Sequence, residues 1–251
     1  MSPTAISIVG IVALLVLLFS GMNIGLCMLL VGAVGVAVVA GIEPAIGILK
    51  TVPYTTAATY SLAVIPLFVF MGELAFASGM SAGLYNAGRK WLARLPGGLC
   101  CGTLAACAGF AAICGSTAAT AATVGTVALP EMKASGYKDS LATGSVAAGG
   151  TLGILIPPST GLIVYGIVSE TSIGRLFAAG ILPGLLTAVL MIVTVVVSVK
   201  ISPALAPSSP RTTWKEKLES VPGLIPILLL FAFVVGGIFG GLFTATEAAG
   251  A

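Results

Sequence analysis

Long apolar runs broken only by short polar turns are the feature that most constrains this chain. Only 8% of its 251 residues are charged, while 58% are hydrophobic. A soluble domain carries about a quarter charged residues and uses them to cover its surface. Too few are present here for a surface that faces water, so lipid must cover most of the chain. The pattern predicts an all-α fold, a polytopic bundle of transmembrane helices.

The residues that usually carry catalysis and metal binding are scarce. The chain has no histidine, which supplies much of the acid–base chemistry and metal binding near neutral pH. The five cysteines all lie inside apolar runs without zinc-ligand spacing, so we expect small core residues. The net charge of +3 is too small to indicate nucleic acid as a partner. We therefore predict no catalytic residue, no cofactor, no protein-bound metal and no enzymatic activity.

Several apolar segments predict single membrane spans. They cover residues 4–19, 24–40, 61–78, 176–199 and 223–243. The first has no basic residue before it and no small-residue cleavage site after it, so we interpret it as a retained span rather than a signal peptide. Residues 41–60 are mixed and fit the membrane interface. Residues 80–96 have the amphipathic pattern of a helix that lies along the membrane surface.

Residues 97–129 form a long apolar run that is broken near its middle by the sequence CGST at 114–117. Each limb has about 15 residues and would rise only about 22 Å, against a hydrocarbon core of about 30 Å. The limbs are therefore short for full spans. We predict a re-entrant hairpin that enters and leaves the membrane on the same side, followed by a polar loop at 130–140.

A second break interrupts the apolar run 141–168 at the sequence IPPS, residues 156–159. Proline lacks an N–H, so the carbonyls of Gly153 and Ile154 lose their helical partners and can coordinate a cation. The half-helix that restarts near Ser159 directs its positive end toward the same region. Secondary transporters build ion and substrate sites from such broken helices. The alternative is that the small residues and prolines of both breaks only pack or kink the spans.

The basic residues support this topology. With a hairpin, the loops around Arg89, Lys133 and Arg211 all face one side. These loops and Lys200 hold nine of the eleven Lys and Arg residues. The positive-inside rule then places the basic loops in the cytoplasm and the N-terminus outside. Two short full spans in place of the hairpin would give the same distribution of charge.

Glu73 is the one acid well inside a predicted span, and an acid at that depth is a functional candidate. The alternative is a structural role, as a partner for Arg89, for Arg94 or for backbone groups. Trp91 and Trp214 are expected to anchor the chain at the membrane interface rather than to bind a ligand.

Both breaks carry motifs of a known family. The chain resembles the large membrane subunit, of the DctM type, of tripartite ATP-independent periplasmic (TRAP) transporters, and the resemblance runs over almost the whole chain. It is most specific at GGTLGILIPPS (149–159) and GSTAATAATVG (115–125). The segments PLFVFMG (66–72) and FTATEA (243–248) also fit.

The resemblance implies a Na⁺-coupled symporter with an elevator-type mechanism in the bacterial inner membrane, with Na⁺ as the coupling ion. The family's large subunit works with a small four-span membrane subunit and a soluble periplasmic binding protein. It imports organic anions such as C4-dicarboxylates, sialic acid and other carboxylates. The residues that the resemblance assigns to the Na⁺ and substrate region are Gly115, Ser116, Thr117, Thr120, Gly150, Thr151, Gly153, Pro157, Pro158 and Ser159.

The chain departs from the family's pattern in two ways. Cys114 stands where the hairpin tip of the family often has Ser. The second hairpin and second broken helix of the family's inverted repeat are not found, so we expect an N-terminal fragment, the first half of the fold. We divide it into scaffold-like spans with an interfacial segment (1–60), a third span with an amphipathic arm (61–96), a transport-like core (97–168) and further spans that lead into a second repeat (169–251).

Other functions are also compatible with parts of the sequence. A stand-alone dicarboxylate or citrate carrier of the same superfamily would share these motifs. A passive channel would also use backbone carbonyls, and a membrane scaffold would need no site. An intramembrane enzyme would have to use Ser116 as a nucleophile, but the chain has no histidine to activate it.

Overall fold

The computed structural model describes residues 3–207 and 212–250. Within them it has fourteen α-helices, short 3₁₀ turns and no strand, which confirms the predicted all-α fold. The helices are α1 (Pro3–Phe19), α2 (Ile24–Ala40), α3 (Ile42–Ala57), α4 (Val64–Ala77), α5 (Met80–Leu92), α6 (Gly98–Cys114), α7 (Thr117–Ala134), α8 (Asp139–Gly150), α9 (Leu152–Leu155), α10 (Thr160–Val168), α11 (Ile173–Ile201), α12 (Trp214–Ser220), α13 (Ile225–Phe239) and α14 (Ala245–Gly250). Arg211, which the charge argument used, lies outside the described residues.

The chain divides into two compact units, and the first is Met1–Tyr60. Its helices α1 and α2 coincide with the first two predicted spans. Asn23 closes the turn between them, because its side-chain oxygen accepts a hydrogen bond from the N–H of Gly25 at 2.9 Å and caps α2. The mixed stretch that follows is mostly helical as α3, which contains Pro53.

The second unit is Ser61–Ala251, and α6 lies at its centre. Thirteen of the 17 residues of α6 are buried, against α5, α7, α8 and α11. Small residues allow these helices to approach closely. A Cβ added to Gly102 would lie 2.8 Å from Cα of Arg89 on α5, and one added to Gly88 would lie 2.7 Å from the carbonyl oxygen of Gly102.

Two helical segments among the described residues are long and apolar enough to cross a membrane, Asp139–Val168 and Ile173–Ile201. Two further helix pairs qualify if each bent pair is one span. The pair α4–α5 bends by 68° and the pair α12–α13 bends by 48°. The bend after α4 separates the third predicted span from the amphipathic arm, which α5 forms.

The prediction of a polar loop at 130–140 is wrong for its first half. Helix α7 continues through Pro130 to Ala134, and α8 begins at Asp139. Proline costs one intrahelical hydrogen bond, but side-chain contacts hold the last turn. Met132 is fully buried in the core, and Glu131 forms an ion pair with Arg89 on α5.

The described parts of the three basic loops lie at one end of the second unit. The hydroxyl of Tyr137, after α7, accepts a hydrogen bond from the N–H of Leu99 at the start of α6, at 3.2 Å. The N–H of Lys138 donates to the carbonyl of Leu205 at 3.0 Å. Both outer ends of the hairpin therefore lie at the same end as the segment after α11, as the charge pattern predicts.

The segment 212–220 is fastened to the arm helix α5 at this same end. The Thr212 hydroxyl donates to the carbonyl of Lys90 at 2.8 Å, and Nζ of Lys217 donates to the carbonyl of Trp91 at 3.3 Å. The Lys217 ammonium also lies 5.8 Å from the ring centre of Trp91 and 5.3 Å from that of Trp214. The two tryptophans expected as interface anchors thus also enclose a buried cation.

Candidate ion and substrate site

The hairpin tip is a two-residue link between α6 and α7. Gly115 has a φ of 60° and ends α6, with its N–H donating to the carbonyl of Ala111 at 3.2 Å. Only glycine adopts this left-handed conformation without strain. Ser116 is extended and caps α7, because its side-chain oxygen accepts a hydrogen bond from the N–H of Ala119 at 3.4 Å. The CGST sequence therefore forms the turn that the hairpin prediction requires.

The second break falls where the proline pair predicts it. Helix α9 ends at Leu155, Ile156 is extended, and the Pro157–Pro158 peptide bond is cis. Ser159 caps α10 by accepting a hydrogen bond from the N–H of Leu162 at 3.4 Å. The expectation of a free Ile154 carbonyl is wrong, because the Ser159 hydroxyl donates to it at 2.5 Å.

The two breaks contact each other directly. Both the N–H and the hydroxyl of Thr160 donate to the carbonyl oxygen of Gly115, at 3.2 Å and 2.8 Å. A Cβ added to Gly115 would lie 2.7 Å from the carbonyl oxygen of Pro158. The hairpin tip is therefore docked on the N-terminus of α10. Pro158 and Thr160 lie about two-thirds of the way along the apolar segment Asp139–Val168, so the tip contacts the interior of that segment rather than either end.

Two glycines before the proline pair bring α7 against α8 and α9. A Cβ added to Gly150 would lie 2.7 Å from Cβ of Ala121 and 3.2 Å from the carbonyl oxygen of Thr117. One added to Gly153 would lie 2.5 Å from the carbonyl oxygen of Ser116 and 2.8 Å from Oγ1 of Thr120. The glycines thus leave room for a line of backbone and hydroxyl oxygens between the two breaks.

Thr120 carries the most informative hydroxyl in this region. Its side chain is fully buried, and Oγ1 has no hydrogen-bond partner among the described residues. The Cys114 thiol is nearby, but no bond of normal geometry joins the two. A buried hydroxyl without a partner costs about 1–3 kcal/mol. Such a group is expected where a ligand completes its coordination, and hydroxyl and carbonyl oxygens suit a hard cation.

The remaining predicted site residues lie around this contact or away from it. Pro157 packs toward α11, where a Cβ added to Gly180 would lie 3.3 Å from its ring. Thr151 is exposed, and its hydroxyl donates to the carbonyl of Ala148 at 2.6 Å. It is therefore engaged in its own helix rather than with the hairpin tip.

Glu73 lies close to the hairpin without joining the contact. Its neighbour Gly72 packs on the tip, since a Cβ there would lie 3.1 Å from Cα of Cys114. The Glu73 side chain is exposed on α4. The alternative prediction that Glu73 is a structural partner for Arg89 is wrong, because Arg89 forms its ion pair with Glu131.

Thr160 is the residue that the sequence did not single out. Its two hydrogen bonds to Gly115 join positions 45 residues apart in the sequence. The only local signal was its place at the start of a helix after an N-cap serine, which predicts no distant partner. The N-terminus of α10 was expected to face a ligand. Its Thr160 and Leu162 N–H groups instead bond to Gly115 and Ser159.

An apolar helical bundle in which a hairpin tip meets a broken helix has the architecture of a secondary membrane transporter. The chain belongs to the family of DctM components of tripartite ATP-independent periplasmic transporters, whose pattern matches residues 11–251. This confirms the resemblance noted above. Membership makes the chain a multi-pass protein of the inner membrane and a transporter component rather than an enzyme.

Individual relatives are permeases for different substrates. The chain is 36% identical over 196 residues to the C4-dicarboxylate TRAP transporter large permease of Pseudomonas aeruginosa, covering 78% of this chain and 45% of the relative. It is 36% identical over 192 residues to the ectoine/5-hydroxyectoine large permease of Ruegeria pomeroyi, covering 76% and 44%. It is 32% identical over 190 residues to the sialic acid large permease of Vibrio cholerae, covering 76% and 44%. The chain thus spans about half the length of the curated relatives it matches.

Proposed function

We propose that this chain contributes to a Na⁺-coupled permease that imports organic anions, and that Na⁺ binds where the hairpin tip meets the broken helix. One observation carries the proposal. The fully buried Thr120 hydroxyl has no partner among the described residues, beside the Ser116 carbonyl and the glycines of the second break. The Thr120 hydroxyl would supply one ligand for the ion. The Ser116 carbonyl would supply another through its second lone pair, since it already accepts a hydrogen bond from the N–H of Thr120 at 3.0 Å.

The organic anion would bind at the same junction. The N-terminus of α10 favours negative charge, as any helix N-terminus does. Its Thr160 N–H is engaged by the Gly115 carbonyl, so a substrate carboxylate would gain that donor only when the tip moves. This competition would couple substrate binding to movement of the hairpin. The C4-dicarboxylate and sialic acid relatives support organic anions as the substrate class.

The proposal includes the partners and the orientation of the family. A small four-span membrane subunit and a periplasmic binding protein would complete the transporter. The clustering of the basic loops at one end supports their placement in the cytoplasm and a periplasmic N-terminus. Co-expression with a small membrane subunit of this family would test the first point by co-purification. A stand-alone carrier would purify without it.

The Na⁺ site is tested by the unfolding midpoint of the purified chain in NaCl and in KCl of equal ionic strength. A ligand that binds the folded state raises the midpoint in proportion to its binding free energy. We expect Na⁺ but not K⁺ to raise it. Thr120→Val should remove this increment without destabilising the chain in KCl, because it deletes a buried hydroxyl that has no partner.

Thr126→Val is the matched control. Thr126 lies on the same helix, is exposed, and donates its hydroxyl to the carbonyl of Thr123 at 2.8 Å. This variant should keep the full response to Na⁺. Equal midpoints in NaCl and KCl for the unmodified chain, or an unchanged Na⁺ response in Thr120→Val, would remove Thr120 from the site.

A further inference from the structure

A large open cleft lies at the basic end of the second unit, away from the hairpin tip. Its volume is about 1010 Å³, and it is lined by the loop between α5 and α6, by the end of α11 and by the segment that follows α11. Arg94 lies in the loop between α5 and α6, and Lys200 lies at the end of α11. The described lining residues include no acid. The cleft is therefore a basic pocket between helices.

Neither cation of this cleft has an ion-pair partner among the described residues. Arg94 and Lys200 are both exposed, and the ion pair formed among the described residues is Arg89 with Glu131. Arginine presents a planar fork that binds a phosphate through two hydrogen bonds, and lysine adds a compact positive charge. An anion with phosphate oxygens thus matches the chemistry of this pair.

The position of the cleft at the end of a membrane-crossing helix indicates a lipid rather than a soluble anion as its ligand. Lys200 lies in the last turn of α11, a helix of 29 residues that is apolar enough to cross the membrane. Its position is therefore that of the lipid headgroups. Val197 and Val193 precede it by three and seven residues and share its face of the helix. They are 47% and 48% exposed, which leaves an apolar track below the cation.

We propose that this cleft binds the headgroup of an anionic phospholipid, with its phosphate between Arg94 and Lys200 and an acyl chain along the exposed face of α11. Basic pockets between helices at the membrane surface bind such headgroups. The site is separate from the junction of hairpin and broken helix. Its failure would leave the proposed Na⁺ site untouched.

The test is native mass spectrometry of the purified full chain with added phosphatidylglycerol or phosphatidylcholine of the same acyl chains. Phosphatidylglycerol should bind more tightly to the unmodified chain. The double variant Arg94→Gln with Lys200→Gln should bind it roughly 30-fold more weakly, because each basic residue near the membrane surface contributes about fivefold. The charge-conserving pair Arg94→Lys with Lys200→Arg should retain most of the binding.

The matched control is Lys133→Gln with Lys138→Gln. Both of these lysines are exposed and belong to the same basic end, but they lie outside the cleft. The control should keep its affinity for phosphatidylglycerol. The proposal is overturned if phosphatidylcholine binds the unmodified chain as tightly as phosphatidylglycerol does. It is also overturned if the Lys133→Gln with Lys138→Gln control weakens binding as much as Arg94→Gln with Lys200→Gln. Binding of soluble glycerol 3-phosphate as tightly as phosphatidylglycerol would also overturn it, since the acyl chain along α11 would then contribute nothing and the site would be one for free phosphate esters.

Discussion

Helices α6 and α11 belong to the same unit and are both apolar, yet they meet different surroundings. Thirteen of the 17 residues of α6 are buried, against five of the 29 residues of α11. The sequence of α6 is dominated by Gly, Ala and Cys, whereas α11 is rich in Leu, Ile and Val. Small side chains allow neighbouring backbones to surround α6, while large ones on α11 face outward. Hydrophobicity alone therefore does not separate a helix enclosed by its own unit from one exposed on the surface of that unit.

The largest test of this comparison truncates one leucine in each helix. Leu104 on α6 is 1% exposed and Leu186 on α11 is 57% exposed. Leu104→Ala should lower the free energy of unfolding by about 2–5 kcal/mol through the cavity it leaves. Leu186→Ala should change it by less than about 0.5 kcal/mol. Denaturant titration of both variants in mild detergent measures the difference, and equal losses would contradict the assigned surroundings.

A smaller effect is expected from adding one methyl group where helices touch. Gly102→Ala would place a Cβ 2.8 Å from Cα and N of Arg89. The shift of α5 that relieves this clash should cost about 1–3 kcal/mol of unfolding free energy. Gly144→Ala on α8 is the control, because nothing lies within 4 Å of the added Cβ. It should be neutral or stabilising by up to about 1 kcal/mol, since alanine favours helix. Similar unfolding midpoints for the two variants would argue against the close α5–α6 crossing.

The smallest expected difference in unfolding free energy is between the helix caps formed by Ser159 and Ser172. Ser159 caps α10 in the core and also donates to the Ile154 carbonyl at 2.5 Å, whereas Ser172 caps α11 at an exposed position. Ser159→Ala should cost about 2 kcal/mol, because the Ile154 carbonyl loses its donor and α10 loses its N-cap. Ser172→Ala should cost about 1 kcal/mol or less. Thermal unfolding of the two variants under the same conditions measures both losses of stability. A larger loss for Ser172→Ala would mean that the Ser159 bond contributes little.

Much of this fold follows from local sequence signals. The ends of α1 and α2, the tip at Cys114 to Thr117 and the break at the proline pair lie where turn residues and apolar run lengths predict them. Glycine, proline and N-cap serine act on their own neighbours, so their effects can be read along the chain. The exception is α7, which continues through Pro130 because Met132 and Glu131 have partners on other helices.

The contacts between distant segments could not be predicted in this way. The Thr160 bonds to Gly115 and the enclosure of Lys217 by two tryptophans join distant segments. Their residue types have many possible partners, and only the packing of the helices selects one. The motifs predicted a site at the two breaks, whereas only the structure shows that the Thr120 hydroxyl has no partner among the described residues.

The central claim is that the hairpin tip is docked on the broken helix, and hydrogen exchange at the Thr160 amide tests it most directly. An amide at the first position of a helix has no intrahelical acceptor and would exchange quickly. Here it donates to the Gly115 carbonyl, so the account predicts slow exchange in the unmodified chain in lipid nanodiscs. Gly115→Ala, which would place a Cβ 2.7 Å from the Pro158 carbonyl oxygen, should make it fast while leaving α11 unchanged. Fast exchange in the unmodified chain, or slow exchange in both, would contradict the docking.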